Sequence, residues 1–484
     1  GNMSEVKVNK ITPTADCGTV TLGDSGDTVA IASGATLTSA GSITNSGTIT
    51  NTGTISGGTI SGTIDGQVNW QTTVKTTNFT ATAGEGYFVN TTSASITVTL
   101  PSSPSAGDLV GIKDYANTAD TNKIVIGRNG EKIQGIENNF TISTEGLSII
   151  LIYVDSTKGW LSVGQAKASD ISEQALYVTA TGGTETTCGD FKIHTFTGPG
   201  TFCVSASGNS NGSNSVEYLV VAGGGAGGGC SGGGAGGGAG GLRFAAPSLA
   251  PLTYPGKPLA APANLPVTVQ GYPVTVGAGA ANPGGAGGPG PGVPGSNSIF
   301  STITSAGGGS AKTDPSPFPE ADISGGSGAG SQSSNGGTTR EAGSGNTPPV
   351  SPPQGNPGGR HHPYPAGSGG VPTINGGGGG GAIQTGGQNP EYGGDGAGFP
   401  TAFGSNGESC GSFRYYAGGG AGICRGGASG QPGGLGGGAT STGSAGGSTG
   451  DANTGGGGAG ARGSNAGPIS GGSGIVVIRY KFQN

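Results

Sequence analysis

Charge is what this sequence has least of. Only 10% of its 484 residues are Asp, Glu, Lys or Arg, the net charge is −6, and aromatics make up 6%. Disordered chains normally carry abundant charge, so its scarcity argues for order. Gly and Pro nevertheless reach roughly 29% together, a level that otherwise signals low complexity. The mild acidity argues against nucleic acid or an anionic membrane as main partner, because those are bound through clustered Lys and Arg. No apolar run approaches the ~20 residues of a membrane-spanning helix. The opening "GNMSEVKVNK" lacks the apolar segment of a secretory signal. The expectation is a protein that inserts in no membrane and leaves its cell on lysis. No pair of the six cysteines has CxxC spacing, so no zinc site and no other cofactor is expected.

What the sequence does have falls into three parts. Residues 1–69 contain "TVTLGDSGDTVAI", two β runs around a Gly/Asp turn, and then the repeats "GSITNS", "GTITNT" and "GTISGG". Each repeat supplies one apolar residue: Ile43, Ile49 and Ile55. Side chains alternate between the faces of a strand, and one Ile per six residues builds no core in a single chain. Three chains wound about one axis could bury these isoleucines against each other, which predicts a homotrimeric β-shaft.

Residues 70–165 read as a small all-β domain. Its short β-rich runs include "NKIVIGRNGEKI" and "GLSIILIYVDSTKGWLSV", with Asn129-Gly130 as a hairpin turn and Trp160 and Tyr153 as packing residues. A linker at 166–175 leads to a head at 176–484. There "VEYLVV" and the final "IVVIRY" bracket tracts such as "AGGGAGGGCSGGGAGGGAGG" and are expected to pair as neighbouring strands. The fold class is therefore mostly β.

Glycine in such tracts can adopt the polyproline II conformation, with three residues per turn, ~3.1 Å rise per residue and no internal hydrogen bonds. If buried, each N–H and C=O needs a partner on a neighbouring segment, and only the missing Cβ allows that approach. The tract breaks the Gly-X-Y frame of collagen, so a bundle of laterally bonded polyglycine II helices is expected. Such a bundle offers little side-chain chemistry, which leaves function to the interruptions.

The interruptions "GRHHPYPAG", "NPEYGGDGAGFPTAFG" and "SCGSFRYYAGG" hold most of the aromatics of the glycine region. Rings with a few hydrogen-bonding neighbours give large contact area at small entropic cost. The candidate binding residues are Arg360, His361, Tyr364, Tyr392, Phe399, Arg414, Tyr415 and Tyr416. The alternative is that these rings cap the bundle or pack between subunits. His361-His362 is a weak metal candidate, because adjacent side chains of an extended segment point opposite ways. Hydrolysis of glycosides would need two carboxylates at a set separation. Only Asp314, Glu320 and Asp322, or Glu391 and Asp395, could supply them, and no enzyme activity is expected. Possible disulfides are Cys188–Cys203, about a hairpin at Gly198-Pro199-Gly200, and Cys410–Cys424.

"DFKIHTFTGPGTFCVS", "VEYLVVAGGGAGGG", "GNTPPVSPPQGN" and "GGSGIVVIRYKF" closely resemble the glycine-rich domain of marine bacteriophage fibre proteins, those of cyanophages above all. The N-terminal "MSEVKVNKITP" and the β domain are similar to parts of such fibres too. The resemblance implies a virion fibre, by default a tail fibre, whose head binds a host bacterial polysaccharide or outer-membrane protein. Its N-terminus would then be anchored to another virion protein. A capsid-borne or purely structural fibre, or one that degrades polysaccharide, is the alternative.

Overall fold

The computed structural model describes residues 67–163, 171–230, 233–281, 293–311, 323–332, 341–361, 375–423, 430–442, 447–462 and 469–483. Ile43, Ile49 and Ile55 of the repeat lie outside the described residues. The fold is mostly β, with no helix of seven residues or more among them.

The small domain is built from two five-stranded sheets, and its first six strands alternate between them. Strands β1 (Asn69–Lys75), β3 (Glu85–Val89) and β5 (Leu109–Asp114) pair in parallel in one sheet. Strands β2 (Phe79–Thr80), β4 (Ile96–Thr99) and β6 (Ile124–Gly127) do the same in the other. The chain thus coils between two sheets before four antiparallel strands close them: β7 (Phe140–Ile142), β8 (Ser148–Asp155), β9 (Gly159–Val163) and β10 (Ile171–Glu173). Strand alternation sends Val98, Ile124, Ile126, Ile112 and Leu151 inward around Trp160, all without solvent exposure, and Tyr153 packs edge-on against Trp160.

Asn129 and Gly130 both take positive φ, as a tight turn requires. They do not close a hairpin, however. A second turn at Gln134-Gly135 intervenes before β7 completes the antiparallel pair with β6. Residues 166–175 are more than a connector, because β10 lies within them and pairs with β7. Glu173 at its end accepts bonds from Asn138 of the small domain and Asn209 of the head, at 2.8 and 3.1 Å.

The head is rooted in a sheet. Ser215–Val221 and Ile475–Lys481 are antiparallel neighbours, with Glu217 opposite Arg479 and Val221 opposite Ile475. Leu242–Ala245 flanks them on one side and Phe191–Phe196 on the other. Both faces of this sheet are covered. Val220, Val476 and Ile478 pack with Phe202 and Phe300 of a second sheet, while Leu219, Val221, Ile475 and Val477 pack with Phe244, Phe399 and Tyr416. Double coverage explains why "YLVV" and "IVVI" are continuous apolar runs rather than alternating ones.

The expected hairpin at Gly198-Pro199-Gly200 is instead a crossing from one sheet to the other. Phe191–Phe196 belongs to the root sheet and Gly200–Ser207 to the second, where Cys203 faces Thr181. Cys188 faces Phe191 across a turn. Cys188 and Cys203 are therefore exposed free thiols on different sheets, not a disulfide.

Beyond Val221 the chain becomes a rod whose lateral hydrogen bonds have a period of three. The N–H groups of Ala222, Gly225 and Gly228 reach the carbonyls of Gly241, Gly238 and Ala235, and those of Gly224 and Gly227 reach Gly472 and Ile469. Gly223 and Ala226 turn to two further neighbours, the Ser296 carbonyl on one segment and the Ser310 hydroxyl on the segment beside it. The rod 233–241 is central. It donates to Gly377 and Gly380, to Gly458 and Gly455, and to Gly309 and Ala306 on three surrounding rods. It accepts from Gly225, Ser327 and Gly420 on three more. Six neighbours leave room for no side chain beyond the buried methyl groups of Ala235 and Ala239: a Cβ on Gly236 would stand 1.9 Å from the Gly420 oxygen.

Candidate functional site

The rods give the head two chemically different ends. At the root, Ala222 bonds to Gly241, Ala382 to Ala417, Ala417 to Thr454 and Gly474 to Gly277, next to the sheet. About six residues further along, or roughly 19 Å at the rise of an extended three-residue turn, lies the far level. There Gly228 meets Ala235, Ile423 meets Gly234, Gly377 meets Ser331, and Ala461 meets Gly228. The described residues that flank stretches 231–232, 333–340, 362–374, 424–429 and 463–468 all belong to this far level. The glycine rods are thus interrupted on the side away from the sheet.

Three of the candidate residues lie towards that far end. Arg360 is exposed and ion-paired with Glu341. Tyr392 is half-buried, its carbonyl accepting from Gly387. His361 is buried: its N–H donates to Ser331 Oγ at 2.6 Å, and Nδ1 lies 3.3 Å from the same oxygen. That corrects its reading as an exposed recognition residue. Tyr364 and His362 lie outside the described residues, as do Asp314, Glu320 and Asp322.

Sequence reasoning missed a buried polar plug beside these residues. Asn375 Nδ2 donates to Glu391 Oε1 at 2.5 Å, and Gln332 Nε2 points to the Gly229 carbonyl at 3.4 Å. All three side chains are nearly inaccessible, and Asn375 Oδ1 and Gln332 Oε1 have no partner. The available signal was an amide standing directly beside a glycine run. Glu391 is tied into this plug, whereas Asp395 accepts from the Leu435 N–H.

The other four candidates sit at the root. Ala397–Phe399, Glu408–Cys410 and Phe413–Tyr416 form a three-stranded sheet there. Phe399 and Tyr416 are fully buried, which overturns their assignment as binding residues. Phe399 meets Phe244 edge-on at 4.7 Å, and Tyr416 donates its hydroxyl proton to the Asn406 carbonyl at 2.7 Å. Burial pushes the Tyr416 hydroxyl well above its ordinary pKa. Arg414 and Tyr415 are half-buried on the same strand. Cys410 is an exposed free thiol, and Cys424 lies outside the described residues.

Also at the root is a buried ion pair across the central strands. Arg479 Nε stands 2.9 Å from Glu217 Oε2, an ion contact rather than an aligned hydrogen bond. Ser248 donates to both Glu217 oxygens through its N–H and hydroxyl, at 2.8 and 2.9 Å. The Arg479 guanidinium lies 4.0 Å over the Phe191 ring and donates to the Ala402 carbonyl. Its role is to close the root around a satisfied charge. Among the described residues no group of three or more His, Cys, Asp or Glu could hold a metal ion.

A β-sheet carrying a laterally bonded array of glycine rods defines a glycine-rich structural head. The family model described as glycine-rich domain matches residues 195–481, more than half of the chain. The chain belongs to that family. No curated protein matches it.

Proposed function

We propose that this chain is a bacteriophage virion fibre protein, most simply a tail fibre, that binds the surface of a bacterial host through the far end of its glycine-rich head. One observation carries this reading: the rods are welded to a β-sheet at one end and interrupted by non-glycine sequence at the other. Such a layout presents variable groups on a rigid support, as a binding tip requires. Lateral bonds of period three support reading the rods as polyglycine II helices. Arg360 is exposed there, and the neighbouring sequence supplies Tyr364, a combination suited to a surface polysaccharide or an outer-membrane protein. Residues 1–69 would attach a homotrimer to its virion partner.

Replacing Arg360 and Tyr364 together with Ala is expected to lower particle adsorption at least tenfold, with fibres still present on the particles. Unchanged adsorption would refute the assignment of this end. Release of reducing ends from host polysaccharide would replace binding by degradation.

A further inference from the structure

The sheet β1-β3-β5-β8-β9 of the small domain has a second face, turned away from its core. Register places Gly86 opposite Gly111, and Gly111 opposite Ile150, on that outer side. A Cβ on Gly86 or Gly111 would strike Val68 and Trp70, so these two side chains lie across the glycines. Trp70 stacks beside Phe88 at 5.3 Å. Ile150, Ile152, Leu161 and Val163 continue the strip across β8 and β9. These seven residues remain half-buried or exposed, with Val163 at 38%. The charged side chain on this face, Lys113, stands at one margin and is bound to the Gly146 carbonyl. A solvated sheet face normally alternates to polar residues, so an apolar outer face marks an interaction surface.

The chain itself indicates the occupant. The sequence that runs into Val68 is the repeat carrying Ile43, Ile49 and Ile55, one apolar group per six residues. One Ile per six residues builds no core in a single chain, so the sequence itself calls for association of copies, and the apolar face follows it along the chain. We infer that this outer face is a self-association surface, packing against other copies of this chain. Magnitude sets what the face can supply. Five strands at ~4.8 Å spacing and six residues at ~3.3 Å give roughly 400 Å² of sheet. Stable interfaces bury about 800 Å² per partner, so the face supplies about half of what a stable association needs.

The inference rests on the reading of the chain as a self-associating fibre, and sedimentation of the full chain tests it. The wild type should run as a multimer, and Ile152→Lys with Leu161→Lys should weaken association at least tenfold while the near-ultraviolet signal of Trp160 persists. Should that pair unfold the domain, Val163→Lys at an already exposed position should still weaken association severalfold. A monomeric wild type would overturn the inference. So would folded face variants that associate as the wild type does, particularly if Ile43→Ser, Ile49→Ser and Ile55→Ser together abolish association. Associated protein that fails to adsorb to cells would sink the host-binding reading and leave this one intact.

Discussion

The small β domain and the glycine array are both closely packed, yet by opposite means. In the domain, side chains such as Trp160, Ile124 and Leu151 meet in a core, and each apolar residue removed from water contributes on the order of 1.5–3 kcal/mol. In the array the buried surface is backbone, and its order comes from N–H groups that each find a carbonyl on another rod. A side-chain core tolerates changes of shape at constant volume. A backbone array tolerates almost none: alanine fits at a few buried positions such as Ala235 and Ala239, but at most rod glycines a Cβ lands on a neighbour's carbonyl. Low sequence complexity is therefore no measure of low specificity.

The largest effect that would sharpen this contrast is Gly236→Val. Its Cβ would sit 1.9 Å from the Gly420 oxygen, so the head should fail to fold. Gly229→Ala lies in the same tract but meets nothing within 4 Å and should be silent. Equal melting temperatures for the two variants would break the comparison. Next, Glu217→Ala strands Arg479 inside the root and should cost about 3–5 kcal/mol in denaturant unfolding. Replacing the pair with Met and Leu should recover most of that loss, since buried ion pairs offset little beyond their own desolvation. Trp160→Ala should cost about 3–5 kcal/mol in the small domain alone. Calorimetry should then show one transition lowered and the head transition unmoved.

The smallest effect is a pH dependence of the head. His194 is fully buried, its Nδ1 2.7 Å from the Gly182 carbonyl and its Nε2 3.2 Å from the Tyr480 hydroxyl. Burial lowers its pKa below the ordinary value of 6.5, against a smaller upward pull from the Gly182 bond. The unfolded chain therefore binds a proton first as pH falls. The neutral imidazole's contribution is complete above about 6.5 and is lost as pH drops towards the folded value. His194→Phe should flatten that part of the stability profile. A slope that survives the substitution would assign it to other groups.

The root strands were legible because two apolar runs bracket the glycine and only pairing ties both ends down. Trp160 and Tyr153 were legible as packing residues on size alone. Partners were harder to read than periods. The alternating runs of the small domain identify strands, but not that β1, β3 and β5 pair in parallel across intervening strands of another sheet. The Cys188–Cys203 expectation failed for the same reason, since a Gly-Pro-Gly turn serves a hairpin and a sheet crossing equally well. Phe399 and Tyr416 look like tips because glycine surrounds them in sequence. In space they fill the junction where the rods meet the root sheet, which has apolar area to cover. Rings at a glycine boundary are ambiguous until it is known which end of the rod they occupy.

The direction of the lateral bonds has a mechanical consequence. They run across the rods, so a pull along the rod axis loads them in shear, many at once, rather than opening them one after another. The load then passes into Ser215–Val221 and Ile475–Lys481, whose ladder is also met along its strands. Tension on this head is thus shared among parallel bonds from the far level to the root, and rupture requires rods to slide past one another as units.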